Sequence, residues 1–224
     1  MAYLITHSLL SAWLYSMKEN PFADATTEDT SKEEFLRVLR REPTPTTEAM
    51  QNGIDFENLV TEICSFEQPV QTSLIGTPPS LESLMPESLT KSPWFQPALT
   101  VAGYVRGGQF QYVATKRVTL DGMELLLYGR LDALKAGNIF DIKFSKSYDR
   151  GKYIESTQHP MYLEIVPTAE SFTYLVSNGE NTWTEKYRRD ETPSILPVIV
   201  DFLRWLRATG YMQIYQQYWG ERAA

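Results

Sequence analysis

The residues best suited to chemistry lie mid-chain, in the run Ile139-Phe140-Asp141-Ile142-Lys143-Phe144. In a strand, side chains two apart share a face, so Asp141 and Lys143 stand together on one side and Phe140, Ile142 and Phe144 on the other. Alone, such a pair is a common surface ion pair. A second acid closes the segment Gly129-Arg130-Leu131-Asp132, nine residues earlier, and a tight hairpin would bring Asp132 to Asp141. Like charges held together in a partly buried place are costly unless a cation joins them. Convergence therefore predicts Mg²⁺ or Mn²⁺, which prefer oxygen ligands. Without it, Asp132 is simply a solvated strand end.

The elements that must position these groups follow from periodicity. From Gln109, Phe110, Tyr112 and Ala114 alternate with polar neighbours, and Asp121-Gly122 is a strong hairpin turn. Met123 to Leu134 returns as a second strand, Ala136-Gly137-Asn138 turns, and Ile139 to Phe144 is the third. A helix is expected from Gln158 to Ile165, then a strand from Phe172 to Val176 whose apolar run suits burial on both faces. Asn178-Gly179 turns the chain into Thr182 to Tyr187, and helices close it at Ser194 to Ala208 and Tyr211 to Trp219. Upstream, Thr6 can cap a helix reaching Met17, and Thr30-Ser31-Lys32-Glu33 has the form of a capping box opening a second. Thr46 or Thr47 can cap a third helix to about Ser65. Pro69 to Pro97, rich in Pro, Ser and Thr, reads as a long loop with one short helix around Leu81 to Met85. The expected class is mixed α/β, with a central mixed sheet of four to five strands flanked by helices. One domain over 1–224 is expected: a helical N-terminal region over 1–66, a loop-rich insertion over 67–104, a core over 105–190 and C-terminal helices over 191–224.

Composition narrows the chemistry. A chain of 224 residues, 42% hydrophobic, has enough apolar material for one well-filled domain. No segment approaches the roughly 20 apolar residues of a membrane span. Leu4 to Met17 comes nearest, but it lacks a basic leader and carries Thr6, His7, Ser8, Ser11 and Ser16, so an amphipathic helix and a cytoplasmic, membrane-free protein are expected. Cys64 is the only cysteine, which excludes an intramolecular disulfide and a four-cysteine iron–sulfur cluster within the chain and leaves Cys64 to packing. With only His7 and His159, a histidine-rich zinc centre is disfavoured, and any metal must sit mainly on carboxylates. The net charge of −7 disfavours a generally basic nucleic-acid binder, yet residues 106–152 hold nine cations against five carboxylates, a net +4. That stretch suits either a solvated hairpin surface or a polyanion. Nothing in the pattern selects a hexamer, trimer or monomer.

Three segments in order, Gly129-Arg130-Leu131-Asp132, Phe140-Asp141-Ile142-Lys143 and Gln158-His159-Pro160-Met161-Tyr162, carry a more specific signal. They resemble the G-x-x-D, D-x-K and Q-x-x-x-Y motifs of the RecB-like branch of the PD-(D/E)XK nuclease superfamily. The resemblance covers Gln51 to about Val176 and is nearest to nucleases related to exonuclease VIII and to CRISPR-associated four-cysteine nucleases, without the latter's cysteines. The family also places an upstream helical glutamate in a G-x-x-x-E setting, which Gly53 to Glu57 matches. Gly53 and Glu57 share a helix face, where a glycine permits close backbone approach. A histidine often precedes that glutamate in relatives, but here the residue is Phe56.

The resemblance implies a restriction-endonuclease-like core and metal-dependent hydrolysis of DNA phosphodiesters, exonuclease-like, in recombination, repair, phage or defence processes, leaving 5′-phosphate and 3′-hydroxyl ends. Glu57, Asp132, Asp141 and the carbonyl of Ile142 would hold Mg²⁺ or Mn²⁺, with Lys143 orienting water or stabilising hydroxide. Gln158 and Tyr162, four apart on one helical face, would orient DNA or the catalytic groups. His159 is expected to be structural. Arg130, Lys146, Arg150 and Lys152 are candidates for phosphate contacts. Tyr148 and Tyr153 are either base-stacking platforms or exposed loop tyrosines. DNA, single- or double-stranded, and repair or recombination proteins are the expected partners. Two other readings remain: a nucleic-acid-binding protein that no longer cuts, and a protein-interaction module in which these charges are structural ion pairs.

Overall fold

The computed structural model describes residues 2–18, 25–66 and 85–220. The capping chemistry expected from the sequence starts two of its helices. Thr6 accepts from the Leu9 N–H to open α1 (His7–Met17), and Thr47 accepts from the Met50 N–H to open α3 (Glu48–Ser65). The helix between them, α2 (Ala25–Leu39), begins before Thr30, so Thr30-Ser31-Lys32-Glu33 lies within it and is not its capping box. A short α4 (Glu87–Thr90) precedes α5 (Phe95–Val105), which occupies the end of the stretch expected to be loop. Phe95, Ala98, Val101, Ala102 and Val105 bury one stripe of α5 at helical spacing. Pro97 concealed it: at the third helical position a proline interrupts no intrahelical bond. Of the short helix expected around Leu81 to Met85, residues 81–84 lie outside the described residues.

The middle of the chain folds as its alternation implies. Strands β2 (Gln109–Leu120), β3 (Met123–Lys135) and β4 (Asn138–Phe144) form an antiparallel meander. Its turns carry consecutive positive φ angles at Asp121 and Gly122 and at Ala136 and Gly137, the geometry that suits the twist of tight hairpins. Helix α6 (Gln158–Ile165) then leads to β5 (Ser171–Ser177), parallel to β4 and buried along its whole length, and β6 (Thr182–Arg188) returns antiparallel. Helices α7 (Leu196–Ala208) and α8 (Met212–Trp219) complete the chain.

Among the described residues the sheet has six strands, not four to five, because Tyr3–Ile5 forms β1. Three residues are too few to show a period, and β1 exists only through its parallel pairing with Leu125, Leu126 and Leu127 of β3. The fold is a mixed α/β sheet flanked by helices on both sides. Two apolar clusters divide its faces. One joins α1, α2, α6, α7 and α8 to the sheet through Leu9, Phe35, Met161, Phe172, Phe202 and Tyr215, all essentially inaccessible. The other packs Phe56, Val60 and Ile63 of α3 and Val101 of α5 on Ala133, Ile142 and Leu175. Cys64 packs against this second cluster, as expected. Among the described residues no helix is long and apolar enough to cross a membrane.

Gly53 departs from its expected role. A Cβ built there meets nothing within 4 Å, so no backbone approaches α3 at that point. Gly53→Ala therefore removes helix-interior flexibility without a clash and is expected to raise stability by about 0.5–1 kcal/mol, read by urea denaturation.

Candidate active site

The site begins where a ladder stops. Strands β3 and β4 pair from Lys135 and Asn138 to Ala133 and Phe140. The next opposed positions in that register are Asp132 and Asp141, and there the pairing ends. The Ile142 N–H donates instead to Asp132 Oδ2 at 2.8 Å. Further along, the same edge of β3 is taken by β1 at Leu125 to Leu127, which leaves Tyr128 to Asp132 as an opening between β1 and β4. Because α1 starts directly after β1, its first turn stands at this opening.

A cleft of about 320 Å³ occupies it, lined by Glu57, Asp132, Asp141, Ile142, Lys143, Gln158, Tyr162 and Arg130. All the expected catalytic and metal-ligating residues are thus brought together. Of the four expected phosphate contacts, only Arg130 lines the cleft. Lys152 donates to Ser145 Oγ at 2.7 Å and to the Ser147 carbonyl at 2.9 Å, holding its own loop, while Lys146 is exposed and Arg150 lines a different cleft. Tyr148 and Tyr153 are half-buried rather than exposed: the Tyr148 hydroxyl donates to Glu185 at 2.6 Å, and the Tyr153 ring stacks on Tyr174 with centroids 4.2 Å apart. His159 is buried and stacked on Tyr187, the structural role expected of it. Phe56 is buried against Phe144 in the second cluster.

Helix α6 places Gln158 and Tyr162 on one face, as their spacing implies. Gln158 Nε2 donates to Asp141 Oδ1, and the Tyr162 hydroxyl donates to the Arg130 carbonyl at 3.1 Å. The Tyr162 ring lies directly on Gly129, where an added Cβ would stand 2.7 Å from Cε1. This contact is a physical reason for a glycine three residues before Asp132 when a tyrosine sits on the facing helix. Thr157, at the N-cap position of α6, makes no capping bond; its hydroxyl donates to the His7 carbonyl at 2.9 Å and ties α6 to α1.

Two residues at the site, one bonded to Glu57 and one lining the cleft, carry no signal in the sequence. Gln111 lies opposite Asp132 in the β2–β3 register but has φ 49°, a left-handed conformation costly for a side chain within a strand. From it, Gln111 Nε2 donates to Glu57 Oε1. Alternation marks Gln111 only as an outward polar position. His7 lines the cleft from α1, with its ring edge-on to Tyr162 at 5.4 Å. Recognising it requires β1, which periodicity does not reveal.

The electrostatics are those of crowded acids. Burial, then Asp141 and then Glu57 push the Asp132 carboxyl up to about 8, against the opposing Ile142 N–H and Lys143. Glu57 is raised by burial and by Asp141. Burial pulls Lys143 down, but neighbouring Asp141 and Asp132 outweigh it, and its pKa rises. His7 is lowered to about 4 by burial and by Lys143, so its ring is neutral. Lys143 Nζ lies 2.6 Å from Asp141 Oδ2 as an ion pair, but the contact lacks hydrogen-bond alignment and Oδ2 has no hydrogen-bond partner.

This donor set fits a hard divalent cation in kind: carboxylate oxygens, mutually repelling, one of them buried without a hydrogen bond. It is not a preformed cage. Among the described residues no group of three or more His, Cys, Asp or Glu side chains stands ready to hold one ion. Asp132 and Asp141 are the pair that would hold a metal, and Glu57 would join them by leaving Gln111.

No protein-family model matches the chain, and no curated protein matches it. A solved structure titled as the crystal structure of SSO0001 superposes with a TM-score of 0.46 at 12% identity, covering 95% of this chain and 77% of that one. At that level it bears on neither family nor function.

Two expectations follow from this geometry. An acid with a raised pKa binds its proton more tightly when folded, so Asp132 contributes stability at low pH that is lost as pH climbs from about 4 to about 8. His7 and His159, both lowered to about 4, act oppositely, but only below about 6.5. Between pH 6.5 and 8, metal-free protein is therefore expected to lose stability with a slope of at most about 1.4 kcal/mol per pH unit for the Asp132 proton. Urea titrations across that window should show the decline, and Asp132→Asn should flatten it. Separately, Gly129→Ala should destabilise by about 1–3 kcal/mol, because the methyl must displace the Tyr162 ring.

Proposed function

We propose that the protein is a metal-dependent deoxyribonuclease that hydrolyses DNA phosphodiester bonds. The observation that carries this reading is the meeting of Glu57, Asp132 and Asp141 with Lys143 in one open cleft, at the point where β3 and β4 part. Three acids drawn from a helix and two strands, two of which, Asp132 and Glu57, are raised by burial and by the neighbouring Asp141, are costly to fold and are relieved by a cation. The ordered resemblance to G-x-x-D, D-x-K and Q-x-x-x-Y supports the same conclusion.

Asp132 and Asp141, with Glu57 and the Ile142 carbonyl, would hold one or two Mg²⁺ or Mn²⁺ ions. A metal held there would supply charge neutralisation at the scissile phosphate and a more acidic water. The remaining work falls to the chain's own groups. Gln158 fixes one oxygen of Asp141, leaving the other directed at Lys143. The Lys143 ammonium, kept protonated by Asp141 and Asp132, holds the attacking water or stabilises hydroxide. Arg130, exposed at the rim, would contact a backbone phosphate on the approaching strand. Tyr162 holds the Arg130 main chain and so sets the width of the rim.

One observation favours a second reading, a DNA-binding or protein-interaction module that does not cut. Each acid already has an internal partner: Gln111 for Glu57, the Ile142 N–H for Asp132, Gln158 and Lys143 for Asp141. Activity with Mn²⁺ or Mg²⁺ on single- and double-stranded DNA of varied ends separates the two. Cleavage is expected, with Asp141→Ala and Lys143→Ala each lowering it by about 100-fold or more. If all substrates stay intact, while Asp141→Ala binds Mn²⁺ as tightly as the parent, the nuclease reading fails.

A further inference from the structure

A second cleft, of about 440 Å³, lies between the loop after β4 and the edge strand β6. Its walls are aromatic. Trp183 and Tyr148 pack with centroids 5.4 Å apart and planes at 34°, and Tyr187 completes the lining. Its exposed charges are Arg150 and Lys186, which form no ion pair with a described residue. The acid at its floor, Glu185, is buried and internally satisfied. It accepts the Tyr148 and Tyr187 hydroxyls and the N–H groups of Gly151 and Tyr153, the latter two at 3.2 Å. One carboxylate thus ties both walls together, and the outward polarity is that of the two cations. Volume, flat rings and flanking cations together describe a nucleotide-sized seat.

The position of this cleft relative to the carboxylates gives it meaning. Asp141, Tyr174 and Glu185 occupy one row across β4, β5 and β6, with their side chains on one face. Two strand spacings of about 4.8 Å set Glu185 roughly 10 Å from Asp141. The loop that carries Tyr148 and Arg150 runs from Lys143 to Gln158, so it joins the two clefts directly.

We propose that this cleft seats an unpaired base of a DNA strand, stacked on Trp183 and Tyr148, with Arg150 and Lys186 on its flanking phosphates. A base inside a duplex must first be unpaired and unstacked to reach these rings, a cost that a single strand does not carry. The strand led to Asp132 and Asp141 is therefore single-stranded. This inference rests on the nuclease reading for the direction of the strand, but its test does not depend on cleavage.

Binding is read by fluorescence anisotropy in chelator, with a short labelled oligothymidylate and a blunt duplex as probes. The parent should prefer the oligothymidylate. Trp183→Ala should weaken that binding about tenfold and leave duplex binding unchanged, with Trp183→Phe restoring most of it and reporting that the fold is intact. Arg150→Ala with Lys186→Ala should lower the salt dependence of oligothymidylate binding by about 1.4 in log–log slope, the value for two phosphate contacts on a single strand. Cleavage with Mn²⁺ is scored on the same proteins. A parent that cuts DNA but binds the duplex as well as the oligothymidylate, or whose binding ignores Trp183, Arg150 and Lys186, overturns the cleft and leaves the nuclease. Binding that follows those residues without any cleavage supports the cleft and removes the nuclease.

Discussion

Repulsion between Asp132 and Asp141 is the constraint around which this molecule is arranged. The two acids occupy the first hairpin positions beyond the last ladder pair, where a β-sheet would otherwise continue. Each is instead given a partner from a different source: a main-chain N–H for Asp132, and the Gln158 side-chain amide plus an ion pair with Lys143 for Asp141. Even so, burial first, and then Asp141 and Glu57, hold the Asp132 carboxyl well above the usual carboxylate range, up to about 8. Such an arrangement is expensive for stability alone and makes physical sense where a cation and a polyanion arrive together.

The surrounding fold holds the separated strands open. On one face α3 and α5 clamp Ala133, Ile142 and Leu175, fixing both strands just beside the acids. On the other, α6 lays the Tyr162 ring on Gly129 and ties itself to α1 through Thr157 and His7. Short β1 closes the far end of the opening by taking the β3 edge that β4 gives up. Within β2 the chain is strained at Gln111, whose left-handed backbone aims its amide at Glu57. Rigid support around a few costly groups is what catalysis by prearranged charge requires.

The proposed single-strand seat extends the same logic along the sheet. One row of side chains, Asp141, Tyr174 and Glu185, passes from the acids through a buried tyrosine to the carboxylate that organises the second cleft. Tyr153, stacked on Tyr174 and donating its N–H to Glu185, joins the loop to that row. A strand of DNA lying along it would meet aromatic rings and cations first and the crowded acids next.

The sequence by itself determined the meander, its two turns, α6, β5 and β6, because these rest on local periodicity and on turn residues whose backbone preferences act within a few positions. It also determined that Asp141 and Lys143 share a face and that Gln158 and Tyr162 share another. Features made by long-range contact were decided by the tertiary structure alone. Strand β1 has no period of its own, α5 hides behind a proline that its first turn tolerates, and α2 extends past the residues that mimic its cap. The same limit explains Gln111, His7 and the unused space at Gly53: backbone strain, the nearness of α1 to the hairpin and an absent neighbour are properties of packing. No local residue pattern encodes packing, since each partner lies tens of residues away and contributes only once the chain has closed around it.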